Sequence, residues 1–318
     1  MITPVRVGLV GCGRLAEAGY VPAVAHARGV EIVAVADPDS TRRDLVGAAL
    51  GIAAAARHEG AVSLLARPRT SAESGHSPTS GTSDRGEGPV AVEAVVVASP
   101  VATHVEVAGH VAAAGLPCLV EKPPARDAAG ARALAALHPA PLVGFNRRFS
   151  LGLGLPAGLG RDGEVEIEGT LHYRRSSWDP IGELGDAWLD LGPHLVDLAM
   201  LAARRPLAVA SAALAERRAV VELEGKGVRA RLECATDRSH RERFRVAVGG
   251  RPVLDARAGG VRGLLPRPGR PHPLVASLAA QLEAFAVLVR GGEPAGPSPA
   301  TAAEGVPVME LIDAARRA

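Results

Sequence analysis

Three titratable side chains are gathered in "AWLDLGPHLVDLAMLA", residues 187–202: Asp190, His194 and Asp197. Their four- and three-residue spacing puts them on one helix face, and Pro193 suits a first helical position. On that reading the helix opens at the Gly192-Pro193 pair, with Asp190 just before it. Such a set serves as a metal site, a proton-transfer site or a capped helix start, and the spacing alone leaves all three open.

A second chemical signal is "VEKPPA". Lys122 is one of only two lysines in the chain, the other being Lys226, although the basic residues number 36. A composition rich in Ala, Gly, Arg and Pro, as under a GC-rich bacterial coding bias, suppresses lysine. A lysine that survives at the carboxyl end of a strand is therefore informative. Arginine does not replace a compact ammonium that must hydrogen-bond an alkoxide.

The third signal is "GLVGCGRLAEAG", in which Gly11, Gly13 and Ala16 form a G-x-G-x-x-A pattern between a strand and a helix. Gly11 permits the tight turn, Gly13 lets backbone approach a pyrophosphate, and Ala16 allows close helix packing. Asp37 ends the next strand, roughly 20 residues on, where a carboxylate accepts ribose hydroxyls and repels a 2′-phosphate. This favours NAD, with Arg42 and Arg43 keeping NADP open. In "ASPVATH", Ser99 and Pro100 sit at a strand's carboxyl end, where open sheets bind ligands. Thr103 is a helix-cap candidate and His104 lies in the first turn.

These residues need elements to hold them. In the first half, strand-like runs at 5–11, 30–37, 91–100, "PCLVEKP" and "PLVGFNRRF" alternate with helical stretches, including "STRRDLVGAAL" capped at Ser40 or Thr41. That alternation predicts a doubly wound parallel sheet, a Rossmann domain over residues 1–121. Residues 67–89 are rich in Ser, Thr, Gly and Pro and read as a mobile surface insertion. The second half, 122–318, alternates with period two in "EVEIEGTLHYR", "AVVELEGKGVRARLECA" and "RERFRVAVGGRPVLDA". This predicts an α+β domain with an open, mainly antiparallel sheet. Two C-terminal helices are expected to pack back on the earlier elements.

Composition narrows the function. Formal charge is +2 over 318 residues with mixed signs, which leaves no electrostatic footprint for nucleic acid. No apolar run is long enough to span a bilayer and no signal peptide is evident, so neither membrane nor export is expected. Three scattered cysteines, Cys12, Cys118 and Cys234, fit a reducing cytoplasm.

In order, "GxGxxA", "ADPD", "ASPxxTH", "EKP", "GFNRRF" and "DLGPHLVDL" resemble the glucose-fructose oxidoreductase and inositol dehydrogenase family, Gfo/Idh/MocA, over nearly the whole chain. The resemblance implies hydride transfer between NAD(P) and a carbinol or carbonyl of a sugar, nucleotide sugar or cyclitol. It also implies a homodimer or homotetramer built on the open sheet face. Lys122 matches the family's EKP lysine, and Asp190 and His194 match its later Asp and His, which makes these three the expected catalytic residues. The expected dinucleotide contacts are Gly11, Gly13, Arg14, Leu15, Asp37, Ser99, Pro100, His104, Glu121 and Lys122. The expected substrate contacts are Lys122, Arg174, Trp178, Asp190 and His194, with His172 and Arg175 nearby. Hydride transfer needs a proton acceptor and an alkoxide stabiliser rather than a metal, and none is expected. His194, in a first helical turn, would feel the positive dipole end and stay neutral. Two departures are the short glycine-rich "SLGLGLPAGLGRDG" after "RRF" and the insertion at 67–89. An imine or enone reductase, or a non-catalytic NAD-binding sensor, is the alternative.

Overall fold

The computed structural model describes residues 3–66, 91–150, 163–174, 186–259 and 271–318. The insertion expected at 67–89, the glycine-rich stretch from 151, Arg175 and Trp178 all lie outside them.

The first sheet has seven strands in the order β13-β6-β5-β4-β1-β2-β3. They are β1 (Val5–Val10), β2 (Val30–Ala36), β3 (Arg57–His58), β4 (Ala94–Val97), β5 (Cys118–Glu121), β6 (Leu142–Gly144) and β13 (Ala300–Thr301). All pair in parallel except the edge strand β13. The central strands are buried on both faces, so β4 reads "AVVV" with every residue buried rather than alternating. Helices cover the faces: α1 (Val21–Val24) after a π-helical turn at Ala16–Tyr20, α2 (Ser40–Ala49), α3 (Ala61–Leu65), α4 (His104–Ala113) and α5 (Ala128–Ala135). The cap of α2 is Asp39, whose carboxylate accepts from Thr41 N and Arg42 N, so Ser40 and Thr41 stand inside the helix. An ionised carboxylate one residue earlier outcompetes either hydroxyl for those amides.

The second sheet runs β12-β11-β7-β10-β9-β8. Its strands are β7 (Val165–His172), β8 (Ala208–Ala215), β9 (Arg218–Gly225), β10 (Val228–Ala235), β11 (Arg241–Val248) and β12 (Arg251–Gly259). Only β7 and β10 pair in parallel. Period two is plain: Val165, Ile167 and Leu171 face inward with Ala219, Val221, Leu223, Phe244 and Val246, while Glu166 and Glu168 face out. Onto the inward face packs α7 (Ala187–Ala203), joined to the core by Trp188, Leu191, Leu195 and Leu198. Fully burying each such side chain contributes about 1.5–3 kcal/mol.

Two helices close the molecule. The helix α8 (Pro273–Val289) packs Leu278, Leu282 and Phe285 against Val7, Leu9 and Ile32 of the first sheet. The helix α9 (Ala302–Arg317) begins with a Thr301–Glu304 capping box and lies against α5 and α7. Trp188 Nε1 donates to Ile312 O across 3.3 Å. The short helix α6 (Arg147–Ser150) directly follows β6.

Candidate active site

The expected helix start at Pro193 is corrected. Asp186 caps α7 by accepting from Leu189 N at 2.8 Å, and the helix runs through Asp190, Pro193 and His194. Proline in a helix interior forfeits one backbone bond; the heavily buried apolar face of α7 carries the helix across it. Asp190 and His194 therefore share one helix at i and i+4, on one face, and both are buried. Asp197 stands apart from this pair as a structural partner. Arg148 grips it with Nε to Oδ2 at 2.9 Å and Nη2 to Oδ1 at 2.5 Å, and also reaches Glu304 at 3.3 Å. This triad ties α6, α7 and α9 together.

Lys122 arrives from the carboxyl end of β5. Its Nζ donates to Asp190 O at 2.9 Å and to Asp190 Oδ1 at 3.2 Å, and its side chain keeps 18% exposure. Lys122, Asp190 and His194 thus come together although 68 residues separate the first two. His194 is held neutral: its pKa lies well below the ordinary imidazole value, through burial first and then the positive charges of Lys122 and Arg147. Desolvation and nearby cations do what the helix dipole was expected to do. Its Nδ1 is buried without a hydrogen-bond partner among the described residues.

The glycine-rich turn has the form a dinucleotide requires. Gly11 has φ +98°, and a Cβ there would lie 2.4 Å from Ser99 N, so this position pins β1 to the loop after β4. At Gly13 a Cβ would meet nothing within 4 Å, which leaves open space in front of the turn. Asp37 stands at the end of β2. Its Oδ2 accepts from Cys12 N at 2.7 Å and its Oδ1 from Asp39 N at 2.8 Å. Each oxygen keeps a further lone pair for a ribose hydroxyl. Arg14 is exposed beside Glu17, and Leu15 packs against the first core. His104 is buried, its ring nitrogens facing Ser99 O at 2.8 Å and Pro123 O at 3.0 Å, so it joins the loops after β4 and β5. Thr103 Oγ1 goes to Pro100 O rather than capping α4. These residues fit NAD; Pro100 is exposed at the mouth of the turn.

Glu121 faces the core. Tyr20 Oη lies 2.5 Å from its Oε1, Lys122 N donates to its Oε2 at 3.1 Å, and burial pushes its pKa up. Gln281 Nε2 contacts the same tyrosine at 3.5 Å. Of the expected substrate contacts beyond the central three, Arg174 is exposed at the end of β7. His172 alternates onto the outer sheet face and contacts Glu233 at 3.0 Å, away from α7. Sequence reasoning assigned no role to Arg147, Glu242 or His240, although Arg147 stands in the quoted "GFNRRF". Glu242 gave no signal, because a strand-edge acid reads as solvent-facing. Among the described residues no His, Cys, Asp and Glu cluster fits a metal ion.

The pattern defining an oxidoreductase family with an NAD-binding Rossmann fold matches residues 5–140. Over its length the chain is 30% identical to the rhizopine catabolism protein MocA of Rhizobium meliloti, covering 99% of this chain and 95% of that protein. The fold matches scyllo-inositol dehydrogenase of Lactobacillus casei with a TM-score of 0.74 and 16% identity, over 100% of this chain and 96% of that one. It also matches an oxidoreductase of Agrobacterium radiobacter, solved with NAD+, L-tartaric acid and magnesium. There the TM-score is 0.70 and the identity 20%, over 99% and 96% of the two chains.

Proposed function

The chain belongs to the Gfo/Idh/MocA family of NAD-binding oxidoreductases, and from that footing we propose that it interconverts a carbinol and a carbonyl on a sugar, nucleotide sugar or cyclitol. The observation that carries this reading is Lys122 Nζ at 3.2 Å from Asp190 Oδ1, with His194 one helical turn further on the same face. When bound, NAD(H), or NADP(H) as second choice, supplies the hydride acceptor or donor.

In the oxidative direction the chain's residues divide the work. Lys122 donates a hydrogen bond to the reacting oxygen and stabilises the negative charge that develops there. His194, kept neutral, takes the hydroxyl proton. Asp190 fixes the ammonium through its carboxylate and its main-chain oxygen together. In reduction the same proton returns from His194 to the oxygen. The open space before Gly13 receives the pyrophosphate, and Asp37 receives the ribose. In this reading residues 1–121 hold the dinucleotide, and 122–318 hold the substrate and the assembly surface. The open sheet face joins a second copy in a cytoplasmic homodimer or homotetramer.

The test is mutational. Lys122→Ala and His194→Ala should each lower turnover by about 100-fold or more, with NADH binding by fluorescence near wild type. The double variant should be far less than multiplicatively worse, because both groups act on one oxygen. Near-normal turnover in both single variants would place the chemistry elsewhere.

A further inference from the structure

Beside Lys122, Asp190 and His194 stands a second cation–carboxylate pair. Arg147 Nη1 lies 2.7 Å from Glu242 Oε2, with the arginine side chain 17% exposed and the glutamate 4%. Arg147 opens α6 just past β6, whose Gly144 lies beside Glu121 in the sheet. Glu242 stands near the start of β11, opposite Leu171 of β7. The pair thus spans from the first sheet's carboxyl edge to the second sheet's inner face. Ser150 Oγ donates to Glu242 Oε1 at 3.4 Å, and His240 Nε2 stands 3.9 Å from Oε2.

Two details tie this pair to the reaction centre. The positive charge of Arg147 is close enough to His194 to help hold that imidazole neutral. Arg147 Nε and His194 Nδ1 are also both buried without hydrogen-bond partners among the described residues.

The charges then balance. Lys122 is matched by Asp190 and Arg147 by Glu242. An uncompensated arginine at this place would be a strong receptor for a carboxylate or phosphate, since its planar fork fits either. Glu242 occupies one arm of that fork and puts a fixed negative charge where such an anion would dock. We infer that Glu242 is a specificity-determining residue: by neutralising Arg147 it admits an uncharged polyol and turns away carboxylated or phosphorylated analogues. The inference rests on the proposed function.

The measurement is the affinity of protein saturated with NAD+ for D-glucuronate relative to D-glucose, by titration calorimetry. Glu242→Gln should raise that ratio by about tenfold or more, because like-charge juxtaposition is a main source of discrimination. Removing one member of a buried pair can cost the fold, so NADH binding is measured first on each variant. Arg147→Gln runs the test in the opposite sense. It leaves Glu242 uncompensated and should raise affinity for D-glucosamine relative to D-glucose. The double variant, Arg147→Gln with Glu242→Gln, should return both ratios to the wild-type level. An unchanged ratio, or no gain of the charged sugar, in any single variant that binds NADH overturns the role of Glu242. Failure of the wild type to bind NADH overturns the proposed function instead.

Discussion

At the scale of single residues, the acid–base behaviour follows from where His194 sits. Burial and two neighbouring cations disfavour its protonation, so the base form persists as pH falls through the ordinary imidazole value of 6.5. In the oxidative direction kcat/KM should hold level through that value and fall only at more acid pH. Arg147→Gln removes one of the cations, raises the histidine's pKa and should move the acid limb upward; an unmoved limb would dissociate Arg147 from the base. The Asp37 carboxylate binds two backbone amides, and on the proposed reading it also receives the ribose. Asp37→Ala should narrow the preference for NAD(H) over NADP(H) in titration. It should also lower stability by about 1.5–3 kcal/mol per lost charged hydrogen bond, read by denaturant unfolding.

At the scale of elements, the two glycines of the first turn should separate. Gly11→Ala meets backbone at 2.4 Å with φ +98°, so a loss of more than about 4 kcal/mol is expected. Gly13→Ala meets nothing within 4 Å. It should unfold normally yet bind NADH more weakly, because the methyl fills the space that the proposed function gives to the pyrophosphate. The helix α7 offers a parallel contrast. Asp197→Ala takes the bidentate partner from Arg148, leaving it Glu304 as its one carboxylate among the described residues, and should cost about 3–5 kcal/mol in stability, whereas Asp190→Asn should cost turnover first. The placement of these residues was largely legible in the sequence. The glycines, Asp37, Lys122, Asp190 and His194 all announced themselves by position at strand ends or on one helix face. The start of α7 did not, because a Gly-Pro pair imitates a helix boundary and tertiary burial overrode it. The strand β8, "AVASAALA", has no polar–apolar alternation to read, and its existence depends on pairing with β9. Arg147 and Glu242 meet across 95 residues, a juxtaposition that no local pattern encodes.

For the whole molecule, the outer face of the second sheet is laced with ion pairs. Arg231 meets Glu222 at 2.9 Å, Arg245 meets Glu168 at 3.3 Å, and Arg243 and Arg257 both bind Asp255. Exposed pairs of this kind contribute only about 0–1 kcal/mol each to stability, yet on the proposed assembly face their pattern would constrain how a second copy registers. Light scattering at micromolar concentration should show a dimer or tetramer. Reversing Glu168 and Asp255 to Arg should shift it toward monomer while NADH binding persists. A wild-type monomer would count against assembly through this face.

The contact between Lys122 and Asp190 makes the protein its own spectroscopic reporter. Only two side-chain amines exist, and they differ sharply: Lys226 is exposed in the turn between β9 and β10, whereas Lys122 is mostly enclosed and held by Asp190. Reductive methylation with carbon-13 formaldehyde should therefore give two lysine dimethylamine resonances beside that of the N-terminal amine, one solvent-like and one displaced. Adding NAD+ and a polyol should move the displaced signal alone, giving a direct readout of the proposed reaction centre in a protein too large for routine backbone assignment.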